Sequence, residues 1–306
     1  MRKYKTKKFH ICRTFLGLYT LMAAFSCQKA PQLPDLNTIS WIQKHGYQSE
    51  EVFPITTTGK IPGPQIEVSI GNKSENILLD LSSFGLILKE NAFKNLDFEP
   101  QRMASSIIGN TEMLLEEGFI NNISILGVTY PVIYSSILKH TNNPFKSKGI
   151  IGRIFFLNGR MTLDINNKIL AFTTQTKQAI SEIVSSSEII PIDLSNQSGP
   201  KNGLIKFHGS INGKQTMMTI TTRSKKSQIS PEFAGSLSEK TTSNYFQIDT
   251  LKIGNTIFTD LKCDIKDDQL QMEPESAEPL HFSLGLDIIS KIILTIDFVD
   301  EIMVIE

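Results

Sequence analysis

The chain has 306 residues, 40% hydrophobic and 20% charged. That composition excludes wholesale disorder and leaves room for two modest domains or one large β domain. The formal charge of zero hides an asymmetry. Arg2, Lys3, Lys5, Lys7, Lys8 and Arg13 lie in the first 26 residues without an acid, and the remaining 25 basic residues face 31 acidic ones, a net of −6. Such a balance offers no basic face to nucleic acid, which is therefore not expected among the partners.

Residues 1–26 read as a signal peptide: a basic start, then the short apolar run TFLGLYTLMAAFS, too short for a membrane span. Ala24-Phe25-Ser26-Cys27 resembles a bacterial lipobox, although alanine stands where such motifs usually carry leucine. The resemblance implies lipidation at Cys27 and membrane attachment through that lipid. No acidic run follows Cys27, so the expected location is the periplasm-facing side of an outer membrane. Residues 27–50, with the proline-bearing QKAPQLPDLN, are expected to form a tether. With Cys12 in the signal and Cys27 lipidated, Cys263 is alone. Its segment, LKCDI, alternates in polarity, and it reads as a small packed residue rather than a nucleophile.

From Val52 onward, short runs rich in Ile, Val, Leu, Phe and Thr alternate with Gly/Asn/Lys clusters, as in IEVSI-GNKSE-NILLDL and MTLDI-NNK-ILAF. These are strand and turn signals, so the fold class is all-β. Helices are expected only at about 89–96, 176–184 and 286–292.

The chain also repeats itself. GIIGRIFFLNGRMTLDINNKILAF (149–172) aligns without a gap on FSLGLDIISKIILTIDFVDEIMVI (282–305), placing Gly152 on Gly285, Thr162 on Thr295 and Asp164 on Asp297. INNISILGVTYPVIY resembles IDTLKIGNTIFTDLK, with Gly127 on Gly254. SIGNKSENILLDLSS resembles SINGKQTMMTITTRS, with Asp80 on Thr221. Three blocks in the same order mean a duplicated unit of just over a hundred residues. The halves are placed at 51–175 and 189–306, joined by a polar connector at 176–188.

Each copy shows a hairpin, a strand ending in a DTG-like site, a second hairpin, and a GxxGxxFxxxxxxTxDxxxxxIxF-like block. In this order they resemble the retropepsin-like and pepsin-like aspartic peptidase superfamily over about residues 52–305. LLDLSSFGLIL (78–88) resembles LLDTGSSxLxL, and TITTRSKKSQIS (219–230) resembles xIDTGASxxxIS. The resemblance implies a two-lobed acid-protease β-barrel fold with internal duplication. It also implies an interlobe cleft under a flap within 103–118. The family's chemistry uses two carboxylates, one per lobe, which share a proton and activate a water.

Here the pair is broken. Asp80 survives, but Thr221 holds the other position, and a threonine hydroxyl is far out of range for acid–base work. Around the two positions, Leu81 and Ser82 replace the first Thr and Gly, followed by Ser83. In the second half Thr222 is retained, Arg223 replaces Gly, and Ser224 follows. Arg223 is expected to pair with Asp80. Asp164, Asp287 and Asp297 read as structural. The five histidines are scattered, and neither a metal nor a cofactor is expected. The resemblance with these departures implies an inactive relative that binds a peptide or other extended ligand. An active aspartic-type endopeptidase using Asp80, and a structural or partner-binding lipoprotein, are the rival expectations.

Overall fold

In the computed structural model, the described residues are 33–93, 96–108, 111–139, 146–174, 179–184, 189–195, 203–237, 244–266 and 279–306. The expected signal peptide, Cys27 and most of the connector lie outside them. The described chain is all-β in class, with twenty strands and a few short helices.

In the first half, β1 (Val52–Pro54) precedes β2 (Thr56–Thr58), β3 (Ile61–Ile70), β4 (Lys73–Leu79), β5 (Leu86–Lys89), β6 (Phe98–Ile108), β7 (Thr111–Ile125), β8 (Val128–Leu138) and β9 (Gly149–Ile151). The strands β10 (Arg160–Asp164) and β11 (Ile169–Thr173) follow. The second half contains β12 (Ile189–Pro191), β13 (Phe207–Ile211), β14 (Lys214–Ile220), β15 (Gln228–Ile229), β16 (Tyr245–Ile253), β17 (Thr256–Ile265) and β18 (Leu280–Leu284), then β19 (Ile293–Asp297) and β20 (Ile302–Ile305). The α-helices are α1 (Ser40–Lys44), α2 (Pro231–Leu237) and α3 (Leu286–Ile289).

The pairing repeats as the sequence does. β13-β14-β18-β15-β17-β16 form a closed barrel. In the first half β3-β4-β9-β5-β8-β7 run in the equivalent order, and pairing of β3 with β7 completes the ring. The two faces of these strands alternate: Met218 and Ile220 enter the main core, while Met217 packs in a separate cluster with Leu204 and Leu280. The turns carry the residues that tolerate left-handed backbone, with φ +57° at Gly71 and +48° and +81° at Asn212 and Gly213.

A third sheet, β1-β11-β10-β19-β20-β12, is shared by both halves. At its centre β10 pairs antiparallel with β19, and Thr162 lies directly opposite Thr295. These two residues are equivalent in the repeat, so the pseudo-twofold axis passes between them. Their hydroxyls are 2.8 Å apart.

The tether expected through residue 50 is corrected by the packing. Ile39, Trp41, Ile42 and Tyr47 are buried against Val52, Ile169 and Ala171 on this shared sheet. Trp41 Nε1–H donates to Asp164 Oδ2 at 2.9 Å, and Arg160 Nη1–H donates to His45 O at 3.2 Å. Burial of two aromatic and two aliphatic side chains offsets the entropy of ordering this stretch. The helix expected at 89–96 is not formed at its start: β5 runs to Lys89 and the chain turns, with Ala92 N–H donating to Lys89 O. Ile180–Glu182 is a 3-10 turn, and α3 falls inside its expected range.

Candidate functional site

Two equivalent strands deliver the site. β4 leads into Asp80 and β14 into Thr221, and both residues are fully buried. Their backbones are held alike. Asp80 N–H donates to Ile151 O and Thr221 N–H to Leu284 O, each at 2.9 Å. Arg153 N–H donates to Ser83 O at 3.0 Å, and Leu286 N–H to Ser224 O at 2.9 Å. Each pair is related by the repeat, so the two loops share one backbone scaffold.

The repeated glycines explain how the loops are supported. A Cβ on Gly152 would lie 2.4 Å from Ser83 O, and one on Gly285 would lie 2.4 Å from Lys226 C. Only a bare backbone passes under each loop at that distance.

One cross-tie joins the loops. Thr222 Oγ1 donates to Leu79 O at 2.6 Å and accepts from Leu81 N–H at 3.1 Å. The related position in the first loop is Leu81, a buried core residue that can make no such bond.

The Asp80 carboxylate is occupied by its own loop. Oδ1 accepts from Ser82 N–H at 3.1 Å and from the Ser82 hydroxyl at 2.7 Å. Oδ2 accepts from the Ser83 hydroxyl at 2.8 Å, and Arg223 Nη1 lies 3.7 Å from it. The expected Arg223–Asp80 pairing is thus present as an ion pair. Thr221 Oγ1 accepts from Arg223 N–H at 3.4 Å, repeating in weaker form the bond of Ser82 N–H to Asp80. Ser224 Oγ donates to Lys226 O at 2.7 Å. These neighbours set the chemistry: a carboxylate in three hydrogen bonds beside a guanidinium is held as an acceptor, and Thr221 supplies no second acid.

Of the other singled-out acids, Asp164 and Asp297 serve turns and Asp287 ties to Ser227. Asp164 Oδ1 accepts from Asn167 N–H, and Asp297 Oδ1 accepts from Val299 and Asp300 N–H. Asp287 Oδ1 accepts from the Ser227 N–H and hydroxyl at 2.8 and 2.7 Å. Burial pushes its carboxyl above the ordinary range, and the Ser227 bonds oppose that. Cys263 is fully buried, and burial pushes its thiol up to about 12, so it is inert as a nucleophile at neutral pH. Among the described residues no three His, Cys, Asp or Glu side chains come together as metal ligands. Among them, too, no helix is long and apolar enough to cross a membrane.

The expected flap segment lies on the β6–β7 hairpin, whose strands pair from Phe98–Ile120 to Ile108–Thr111. Residues 109–110 at its tip lie outside the described residues. On its β7 arm, Met113 and Leu115 pack on Leu78, Leu138 and Ile150, on the face of the first-half sheet turned away from the core. An open cavity of about 420 Å³ lies where the β2–β3 hairpin meets α3 and Lys225. Pro62, Gly63, Leu286, Asp287 and Ser290 are among its lining residues. Gly63 also touches the second loop closely, since a Cβ there would be 2.3 Å from Thr222 O. No protein-family model matches this chain, and no curated protein matches it either.

Proposed function

We propose that this chain is a two-lobed aspartic-peptidase-like protein that has lost peptide-bond hydrolysis and holds a peptide or other extended ligand between its lobes. The observation that carries the reading is the position of Thr221. It occupies, bond for backbone bond, the place related by the repeat to Asp80. A two-carboxylate mechanism needs an acid there.

Three further features support it. The strand rings of the two halves run in equivalent order around a shared sheet. The Thr222 cross-tie keeps the two loops in contact. A long hairpin, β6–β7, lies over the first half on the side of Leu78, two residues before Asp80. An extended ligand in such a cleft is held mainly through its backbone, which does not need the acid pair.

Residues 1–26 act, in this reading, as an export signal, and Cys27 carries the lipid that keeps the protein on the periplasmic side of an outer membrane. Palmitate labelling of the wild type, lost in Cys27→Ala, is the expected result.

The catalytic part is tested by acid-pH digestion of a denatured protein substrate. The wild type and Asp80→Asn should be equally inactive with or without pepstatin. Cleavage that pepstatin stops and Asp80→Asn abolishes would overturn the reading.

A further inference from the structure

The repeat assigns matching side chains to the two halves on the sheet face turned away from each core. In the first half, Leu78, Ile150 and Ile87 stand side by side across β4, β9 and β5, in register. In the second half, Thr219, Ser283 and Gln228 stand side by side across β14, β18 and β15 in the same register. Position for position, one half has three apolar residues where the other has three polar ones.

The two rows are also satisfied differently. Leu78 and Ile150 are covered by Met113, Leu115 and Leu138, so the first row is closed by apolar contact. The second row is as deeply buried, with exposures of 1% at Thr219, 0% at Ser283 and 6% at Gln228. Yet Thr219 Oγ1, Ser283 Oγ and Gln228 Oε1 make no hydrogen bond among the described residues. Gln228 Nε2 donates to Ser224 Oγ at 3.5 Å, the outer limit of a hydrogen bond, and its oxygen is the unpaired atom. Buried polar atoms are costly unless paired, and here three stand in one row on adjacent strands.

The row is uncharged. Its neighbour across β17 is Asp264. Asp264 Oδ1 also makes no hydrogen bond among the described residues, and Lys226 balances its charge from 3.8 Å. An acceptor oxygen beside two hydroxyls, each able to give or take a bond, matches a carboxamide or a hydroxyl.

We propose that the Thr219–Ser283–Gln228 row is a recognition site for a neutral hydrogen-bonding side chain, amide or hydroxyl. The row lies two residues before Thr221 on β14, as Leu78 lies two before Asp80 on β4. That the side chain belongs to an extended ligand rests on the cleft-binding reading above. The polarity of the row does not.

Acetamide, a bare carboxamide, tests the row without a peptide. In crystals soaked with it, acetamide should sit within hydrogen-bond distance of Gln228 Oε1 and at least one hydroxyl. It should be absent in Thr219→Val/Ser283→Ala/Gln228→Leu. Ordered water alone at the wild-type row overturns the proposal. Octapeptide pools with one position fixed in turn then test the ligand. The wild type should favour Asn, Gln, Ser or Thr over Leu or Val at one position by about tenfold, a single hydrogen bond's worth, and the triple variant should reverse that preference.

Apolar preference at every position overturns the row and leaves the cleft reading standing. Acetamide at the row with no peptide retained does the opposite. Thermal unfolding separates a structural role: near-isosteric apolar residues should leave Tm unchanged or raise it. A clear fall in Tm with an unchanged peptide profile overturns the proposal. Gln228→Leu alone repeats each measurement should the triple variant fail to fold.

Discussion

Thr222 reaches across the repeat to Leu79, donating its hydroxyl hydrogen to Leu79 O at 2.6 Å while accepting from Leu81 N–H at 3.1 Å. One side chain therefore satisfies two buried backbone groups of the other loop. The reciprocal tie is missing, because Leu81 holds the related position and packs into the main core. Thr222→Val keeps the shape and removes both bonds. It should cost about 2–4 kcal/mol, since each orphaned buried group costs about 1–3 kcal/mol. Urea unfolding checks this: a midpoint equal to that of the wild type would show that the tie contributes nothing.

Asp80 and Arg223 yield a second expectation. The carboxylate is fully buried, whereas the Arg223 side chain is 19% exposed, and the pair is 3.7 Å apart. Asp80→Asn weakens the bonds from Ser82 and Ser83 as well as the ion pair, so it should destabilise by about 1–3 kcal/mol. Arg223→Gln should cost less. In a double-mutant cycle the coupling between the two should be about 1 kcal/mol, and additive effects would show that the serines alone hold the carboxylate.

Glu306 supplies a pH signature. Its carboxylate pairs with Lys44 and lies 2.9 Å from Nε2 of the buried His45. The bond to His45, with a smaller contribution from Lys44, holds its carboxyl down from 4.5 to about 2, against the opposing effect of burial. A carboxyl whose folded value lies below its unfolded value contributes stability that is fully present above the unfolded value. That contribution is lost as pH falls through the folded one. Wild-type stability should therefore fall between about pH 5 and pH 2 more steeply than that of Glu306→Gln. Parallel Tm–pH curves would remove Glu306 from the account.

Much of this architecture was legible because duplication leaves aligned residues with related jobs. Gly152 and Gly285 align because each must pass bare beneath its loop, and Thr162 aligns with Thr295 because the two face each other across the axis. The same alignment, read across positions 78/219, 150/283 and 87/228, also contained the polar row. That contrast becomes visible only once β4, β9 and β5 are known to be neighbours. The α2 helix was not among the expected helices, although Ser230-Pro231 marks its start: Ser230 Oγ accepts from Phe233 N–H at 3.2 Å, and proline takes the first turn. The packing of residues 39–47 was not legible. Four apolar residues after a proline-bearing stretch make no period, and only the finished sheet gives them a face to cover.

That covering segment sets the last expectation. Trp41 is 3% exposed, stacks edge-on against Tyr47 and donates to Asp164. Tyr47 OH lies 2.9 Å from Thr162 Oγ1, and His45 Nδ1 lies 3.2 Å from Thr295 Oγ1, so the segment sits on the pseudo-twofold axis itself. A tether could lose these side chains without consequence. A strap over the shared sheet could not, because both halves contribute strands to that sheet. Trp41→Ala should cost about 3–5 kcal/mol, the range for a large buried aromatic, and Trp41→Phe less, through the bond to Asp164 alone. Both should unfold the two halves in one transition, seen by coincident tyrosine-fluorescence and circular dichroism curves, since Trp41 is the chain's single tryptophan. A Trp41→Ala protein as stable as the wild type would return residues 39–47 to the role of a tether.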